Sequence, residues 1–244
     1  MSVENHDAYV IKTFTLNEAD RVATLLTAEG HKLSAIAKNG ARLKSAAAGK
    51  LEPFNFVSVD LFHKEGQGMC PVNQVAVTKS YFKHIAGDMK RFMVFSFLSE
   101  VVDATVHGEE GNPRLYRLLT HCFEGMDQGA TPELAVTYFQ FWVLRMAGMW
   151  PQDDPCGHCG NKPASGERMF VGGGFRCGSC GGSGLSLPDG TGQLIQAMQK
   201  NPLAELTPSE GVLGGLIDAG YDLMTTYVGK GLKSFPLMRP FLTV

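Results

Sequence analysis

Four cysteines carry the sharpest chemical pattern in the chain: Cys156-Gly-His-Cys159 and, further on, Cys177-Gly-Ser-Cys180. Each Cys-x-x-Cys turn presents two thiolates to one point. Two such turns supply the tetrahedral four-sulfur set that Zn²⁺ accepts in closed structural sites. The spacing therefore predicts one structural Zn²⁺ held by Cys156, Cys159, Cys177 and Cys180. Two disulfides, or a fortuitous cluster, are the alternatives. Between the turns, Lys162 to Gly174 is glycine-rich, too short for a domain and long enough for a small β-hairpin. Gly157, Gly160, Gly178 and Gly181 offer each turn a permissive backbone. His158 lies inside the first turn and reads as a surface residue, because four thiolates already complete the set.

A catalytic metal is the competing chemistry. His107-Gly-Glu109 followed by Pro155-Cys-x-x-Cys159 matches the letters of the zinc nucleobase deaminases. That chemistry needs an open metal position for water, and Cys177 with Cys180 closes the coordination sphere. No phosphate-binding P-loop, Gly-x-Ser-x-Gly elbow or His-Glu-x-x-His helix is present. Gly172-Gly-Gly174 is turn material. No residue is predicted to be catalytic, and the chain reads as a non-enzyme.

The second chemical feature is a run of cations. The net charge is only −2, yet Gly30 to Leu51 carries Lys32, Lys38, Arg42, Lys44 and Lys50 with no acidic residue. Lys38-Asn-Gly-Ala-Arg42-Leu-Lys44-Ser45 leaves a strand and enters a loop of small residues expected to be flexible. Such cations can follow a phosphate backbone through salt-dependent contacts that ignore base sequence, or can be a solvated cationic loop. Phe14, Phe54, Phe56 and Phe62 could stack on bases if exposed, but most are expected in the core.

These groups need a frame. The chain is 44% hydrophobic and 19% charged, enough apolar content for sizeable cores. Short segments at Ala8–Phe14, Arg21–Thr27, Lys32–Lys38, Phe56–Lys64 and Gln74–Thr78, alternating most clearly in the third and fourth and separated by Gly, Pro and Asn, predict five strands. Five strands in so short a span suggest a small closed barrel, of the OB type or of the SH3-like type. Helical periodicity follows: Ile85–Val106, a helix opened by Asn112-Pro113, another by Thr131-Pro132-Glu133, a short one at Gly192–Gln199, and one opened by Thr207-Pro-Ser-Glu210. The predicted class is α+β multidomain: a five-stranded OB-type barrel over residues 1–82, then a helical bundle over 83–244 with the Cys₄ knuckle inserted at 155–182. The polar start predicts no signal peptide, and the longest apolar run is too short to span a bilayer. Cys70 and Cys122 read as buried free thiols, which with the quartet suits a reducing cytoplasm.

Several stretches together resemble the RecO family of bacterial recombination mediators. They are Glu18-Ala-Asp-Arg21, Thr24-Leu-Leu-Thr27, Lys32-Leu-Ser-Ala-Ile-Ala-Lys38-Asn-Gly-Ala-Arg42, Lys44-Ser45, Leu51-Glu-Pro-Phe54 and the tail Tyr227-Val-Gly-Lys-Gly-Leu-Lys233-Ser234. The resemblance implies an OB-fold, a helical domain and a structural zinc. It implies binding of single- and double-stranded DNA, annealing of complementary strands, and loading of RecA, together with RecR, onto DNA coated with single-strand-binding protein (SSB). Cytoplasmic, nucleoid-associated action is implied too. The positions matching the family's cations are Arg21, Lys32, Lys38, Arg42, Lys44 and Lys50. Arg21 could equally close a local salt-bridged turn with Glu18 or Asp20. Where the family usually carries Gly-Ala-Arg-Arg, this chain has Gly-Ala-Arg42-Leu43, one cation fewer. The family also binds the acidic, apolar C-terminal tail of SSB on its helical domain, with no residues assignable here. A protein-binding adaptor, in which the helices do the recognition, is the alternative.

Overall fold

The computed structural model describes residues 2–63, 68–106, 111–150, 155–161, 168–171, 174–180, 185–188, 190–208 and 210–242. His107, Glu109, Gly172 and most of the Lys162–Gly174 connection lie outside them. The chain forms two compact units, residues 1–120 and 121–244.

The first unit is built on strands β1 (Ser2–Leu16), β2 (Asp20–Thr27), β3 (Lys32–Ala37), β4 (Asn55–His63) and β5 (Cys70–Ser80). They close into a barrel in the order β1-β2-β3-β5-β4, antiparallel except where β3 meets β5. This is the OB-type solution, and the alternating pattern explains its interior. Ala8 and Val10, Ala23 and Leu25, Ala35 and Ala37, and Val57, Val59 and Leu61 all face one core. The ends of β1 and β5 run well beyond the segments predicted for them, because pairing continues where alternation has stopped: Ser2 to Asp7 of β1 pair with β4 from His63 to Ser58.

β1 is buried on both faces over Ala8–Ile11. Ala8 and Val10 point into the barrel, while Tyr9 packs outward against Phe56, ring centroids 5.1 Å apart. Helix α2 (Met89–Thr105) covers this outer surface. Ser99 donates to the Phe95 carbonyl at 2.7 Å, so the Tyr9 hydroxyl donates to Ser99 Oγ at 2.7 Å in a fully buried bond. Burial drives the Tyr9 phenol far above its ordinary pKa. The contact widens into an aromatic cluster of Phe54, Phe56, Tyr81, Phe92 and Phe95 with edge-to-face geometry. Phe54 and Phe56 are thus buried as expected, whereas Phe14 is 52% exposed. Phe54 adopts φ 70, a left-handed conformation that strains a bulky residue by roughly 1–2 kcal/mol. Its amide donates to the Val10 carbonyl and its carbonyl accepts from the Tyr81 amide, which fix the bend from both sides.

The predicted helix Ile85–Val106 is broken. A short α1 (Phe82–Ile85) precedes Gly87, at φ +87, and Asp88 then caps α2 by accepting from the Arg91 amide. Helix α3 (Pro113–Asp127) starts with Asn112 Oδ1 accepting from the Arg114 amide. This start packs on the β2–β3 turn so closely that a Cβ on Gly30 would lie 2.1 Å from the Asn112 carbonyl carbon.

In the second unit α4 (Pro132–Met146) is the central helix. Thr131 caps it, and nearly every residue from Glu133 to Leu144 is buried. It packs on α6 (Glu210–Val228), where Gly220 gives Gln140 the room to donate to the Ile217 carbonyl. Cys122, in α3, is buried, and desolvation pushes its thiol far up. Strands β6 (Arg168–Val171), β7 (Gly174–Cys177) and β8 (Leu185–Ser186) form a small sheet, followed by α5 (Thr191–Lys200). Helix α7 (Ser234–Met238) stacks Phe235 on Tyr221 at 3.7 Å, and Arg239 grips both carboxylate oxygens of Asp218. Among the described residues no helix is long and apolar enough to cross a membrane.

Asp103 of α2 is gripped by Lys12 of β1 and Lys32 of β3. Burial alone would raise its pKa, but the two ammonium groups outweigh it and hold the carboxyl below its usual range. A depressed folded-state pKa stabilises the fold above the unfolded value and loses that contribution as pH falls through the folded one. We expect Asp103→Asn to destabilise the protein by roughly 1–2 kcal/mol at pH 7. In urea unfolding, the gap between variant and wild type should close below about pH 4.

Candidate nucleic-acid interface and metal centre

The connection from β3 to β4 carries most of the cations. It is a succession of hydrogen-bonded turns. Gly40, Arg42, Ser45, Ala48 and Lys50 each donate their amide to the carbonyl three residues back. Ala47 and Leu51 insert into the barrel core and anchor the run. Its entry is fixed to the β1–β2 turn: the Asn39 amide donates to Asp20 Oδ1 at 2.8 Å, and the Ala41 amide to the Ala19 carbonyl at 2.9 Å. Asn39 has φ 55, tolerable for asparagine. Gly40 is needed because a Cβ there would sit 2.8 Å from Cβ of Arg21.

This frame separates the six cations into two groups. Lys38, Arg42 and Lys44 are exposed, and no described residue pairs with them. Leu43 between them is 97% exposed, so leucine at this position removes a charge without entering any packing. Arg21, Lys32 and Lys50 are engaged within the fold. Arg21 ion-pairs with Glu52 and donates to Thr15, with Glu18 and Asp20 taking no part. Lys32 donates to the carbonyl of Asp103 at 2.7 Å, and Lys50 to that of Val75 at 3.1 Å. Phe14 pairs with Val22, and Val22 with Ile36, so the three share one face across β1, β2 and β3.

In the second unit the four cysteines come together. Sγ atoms of Cys156, Cys159, Cys177 and Cys180 all lie within 4.8 Å of one another. Cys159 and Cys177 are 3.6 Å apart, close to the edge of about 3.8 Å for a tetrahedron of Zn–S bonds. This is far beyond a disulfide bond, and all four are free thiols. Cys156 and Cys177 are buried while Cys159 is exposed. The Cys156 carbonyl accepts from the Gly160 amide and its amide donates to the Asn161 carbonyl, which closes the first turn. Of the glycines in the described part of the two turns, Gly160 alone has a positive φ, +72. Backbone amides of Cys159, Cys177 and His158 hydrogen-bond to the Cys156 sulfur and bring its thiol down to about 6. Contact with Cys180 lowers Cys177. Cys180, hydrogen-bonded first to Cys177 and then to Cys159, keeps its proton and is pushed up to about 12. The quartet could hold a metal ion, with all four tetrahedral positions filled by sulfur.

Sequence reasoning missed a second convergence of ligand-type side chains, Glu4 with His6 and His63. Glu4 and His6 stand four and two residues before Ala8 in β1, but His63 joins them only through the pairing of β1 with β4. Cys70 also differs from expectation: it is partly exposed and lies against His63.

Comparison with known proteins agrees with this architecture. A family model for the N-terminal part of recombination protein O matches residues 1–81, and one for its C-terminal part matches residues 86–235. A DNA repair protein RecO from Anaeromyxobacter sp. (strain K) is 30% identical across 78% of this chain and 76% of that protein. One from Cutibacterium acnes is 27% identical across 98% of this chain and 99% of its own length. One from Bifidobacterium longum is 31% identical over 72% of this chain and 74% of its own. With both halves matched in sequence and a barrel preceding the helices and the cysteine quartet, the chain belongs to the RecO family of DNA repair proteins.

Proposed function

We propose that this protein is a non-catalytic recombination mediator. It binds single- and double-stranded DNA on its residue 1–82 barrel, anneals complementary strands, and with RecR loads RecA onto SSB-coated single strands in the bacterial cytoplasm and nucleoid. The observation that carries the reading is the exposure of Lys38, Arg42 and Lys44 on a run of turns closed by its own hydrogen bonds. Cations whose backbone is already ordered lose little entropy on meeting a phosphate chain. Neutralising each strand lowers the repulsion between two of them, and base pairing then drives annealing. Phe14, exposed on the outward face of β1–β3, would stack a base there, which is the kind of face OB-folds use for oligonucleotides. Arg21, Lys32 and Lys50 serve the reading indirectly, by fixing the barrel and the ends of the cationic run.

The same reading assigns one structural Zn²⁺ to Cys156, Cys159, Cys177 and Cys180. The ion's role would be to order the knuckle in the helical region, residues 83–244. One observation favours the adaptor as a second reading: a groove of about 360 Å³ beside α5, lined by Leu194, Ala197, Leu206 and Val212 with Glu205. With Gln193, Asn201 and Thr207 also in its lining, it suits a segment of mixed polarity. Its acidic lining residue is the wrong sign for an acidic tail such as that of SSB.

Two experiments test these assignments. In fluorescence annealing of complementary oligonucleotides, the protein should accelerate pairing, and the acceleration should fade as salt rises. Arg42→Glu with Lys44→Glu should weaken single-strand binding at least tenfold and reduce the salt slope by about 2; unchanged binding by this folded variant would remove the interface. With Co²⁺ as a spectroscopic substitute, wild type should show an intense thiolate charge-transfer band that Cys156→Ser weakens together with the affinity for the ion, and the variant should have a lower thermal midpoint. Protons compete with the metal for the thiolates, so retention should weaken as pH falls. A metal-free protein of undiminished stability would refute the structural role.

A further inference from the structure

His6 on β1 and His63 at the end of β4 approach each other through their Nε2 atoms, 3.2 Å apart. Glu4 Oε2 stands 3.9 Å from the first nitrogen and 3.7 Å from the second. A circle through three atoms so spaced has a radius of about 2.1 Å, the length of a Zn–N or Zn–O bond. One point therefore lies at bonding distance from all three ligand atoms as they stand. Two imidazoles and one glutamate are also a donor set found in open, three-ligand zinc sites.

The strand register explains how they meet. Glu4 is opposite Leu61 and His6 opposite Val59, both core residues of the barrel. Directly paired residues share a face, and His63 lies two residues beyond Leu61. All three thus continue the inward-facing row at the mouth of the barrel, where the pattern elsewhere demands apolar side chains. A break in a local rule of this kind marks a functional or strained place. The two imidazole side chains are only 17% and 28% exposed. The other ring nitrogen of His63, Nδ1, faces Cys70 Sγ at 3.8 Å. A hydrogen on Nδ1 directed at that sulfur leaves the Nε2 lone pair of His63 aimed into the site, the arrangement a metal-binding histidine requires.

We propose that Glu4, His6 and His63 form a second divalent metal site, separate from the four cysteines and selective for borderline ions of the Zn²⁺ type over Mg²⁺ or Ca²⁺. Nitrogen donors give that preference. Three protein ligands leave a position for water, so the site is weaker than a four-sulfur one. Occupied, it clamps the leading end of β1 to the last residue of β4 and closes the barrel mouth that the core does not reach. The inference is independent of the DNA-binding reading.

The test is calorimetric titration of Zn²⁺ into the full-length protein as purified, after its zinc content has been measured by atomic emission. Wild type should take up one further equivalent. Glu4→Gln, at a side chain 52% exposed, and His6→Gln with His63→Gln should each weaken that uptake at least tenfold while leaving the first equivalent in place. Added Zn²⁺ should raise the thermal midpoint of wild type by a few degrees and leave that of Glu4→Gln unmoved. In the Co²⁺ spectrum the second equivalent should add no thiolate charge transfer. No second equivalent in wild type, normal uptake by the variants, or added charge transfer would each overturn the proposal. If the double-histidine variant fails to fold, Glu4→Gln decides alone.

Discussion

The two-sided burial of β1 is the constraint on which the N-terminal unit rests. Ala8 and Val10 fill the barrel while Tyr9 and Ile11 are buried on the opposite side of the strand. A strand of a small barrel normally shows one face to water. Here both are withdrawn, so the outer surface must be covered by something with its own hydrogen-bond partner for the Tyr9 hydroxyl. Helix α2 supplies Ser99 for that purpose, and Asp103 one turn further along meets Lys12 and Lys32. The barrel and α2 are therefore packed as one unit, and the left-handed Phe54 is tolerated because it is held by hydrogen bonds at both ends within that packing.

Most of the residues that carry the family resemblance build the frame of the β3–β4 connection and do not themselves reach out from it. Leu51 plugs the core, Glu52 holds Arg21, Phe54 makes the bend into β4, Asn39 is tied to Asp20, and Gly40 has no room for a side chain. What they support is a hydrogen-bonded run of turns from which Lys38, Arg42 and Lys44 extend. Precise backbone placement of a few cations is a better device for a strand of phosphates than a floppy cationic loop, because the ordering has been done on folding. Leu43, exposed between Arg42 and Lys44, leaves this run with one cation fewer than the family pattern.

The two candidate metal centres contrast in design. The cysteine quartet lies on local turns whose sulfurs are brought together by short-range backbone hydrogen bonds, with Cys156 already favouring the thiolate and Cys180 retaining its proton. The Glu4–His6–His63 group is assembled by strand pairing between residues far apart in the chain. A ligand set made of neighbouring residues can be read from spacing. One made by β-register cannot.

That difference also separates what was legible in the amino-acid order from what was not. Short apolar segments between Gly, Pro and Asn identified five strands, cap residues at Thr131 and Asn112 marked helix starts, and two Cys-x-x-Cys turns announced the quartet, because each signal depends on residues within a few positions of one another. The break at Gly87 was overlooked because apolar residues continue through it, and the length of β1 because pairing outlasts alternation. Charge alone could not tell Arg21, Lys32 and Lys50 from Lys38, Arg42 and Lys44. Only the tertiary structure decided that the first three meet Glu52, Asp103 and Val75 while the others face water, since the partners of a long side chain are set by strands and helices packed from distant parts of the sequence.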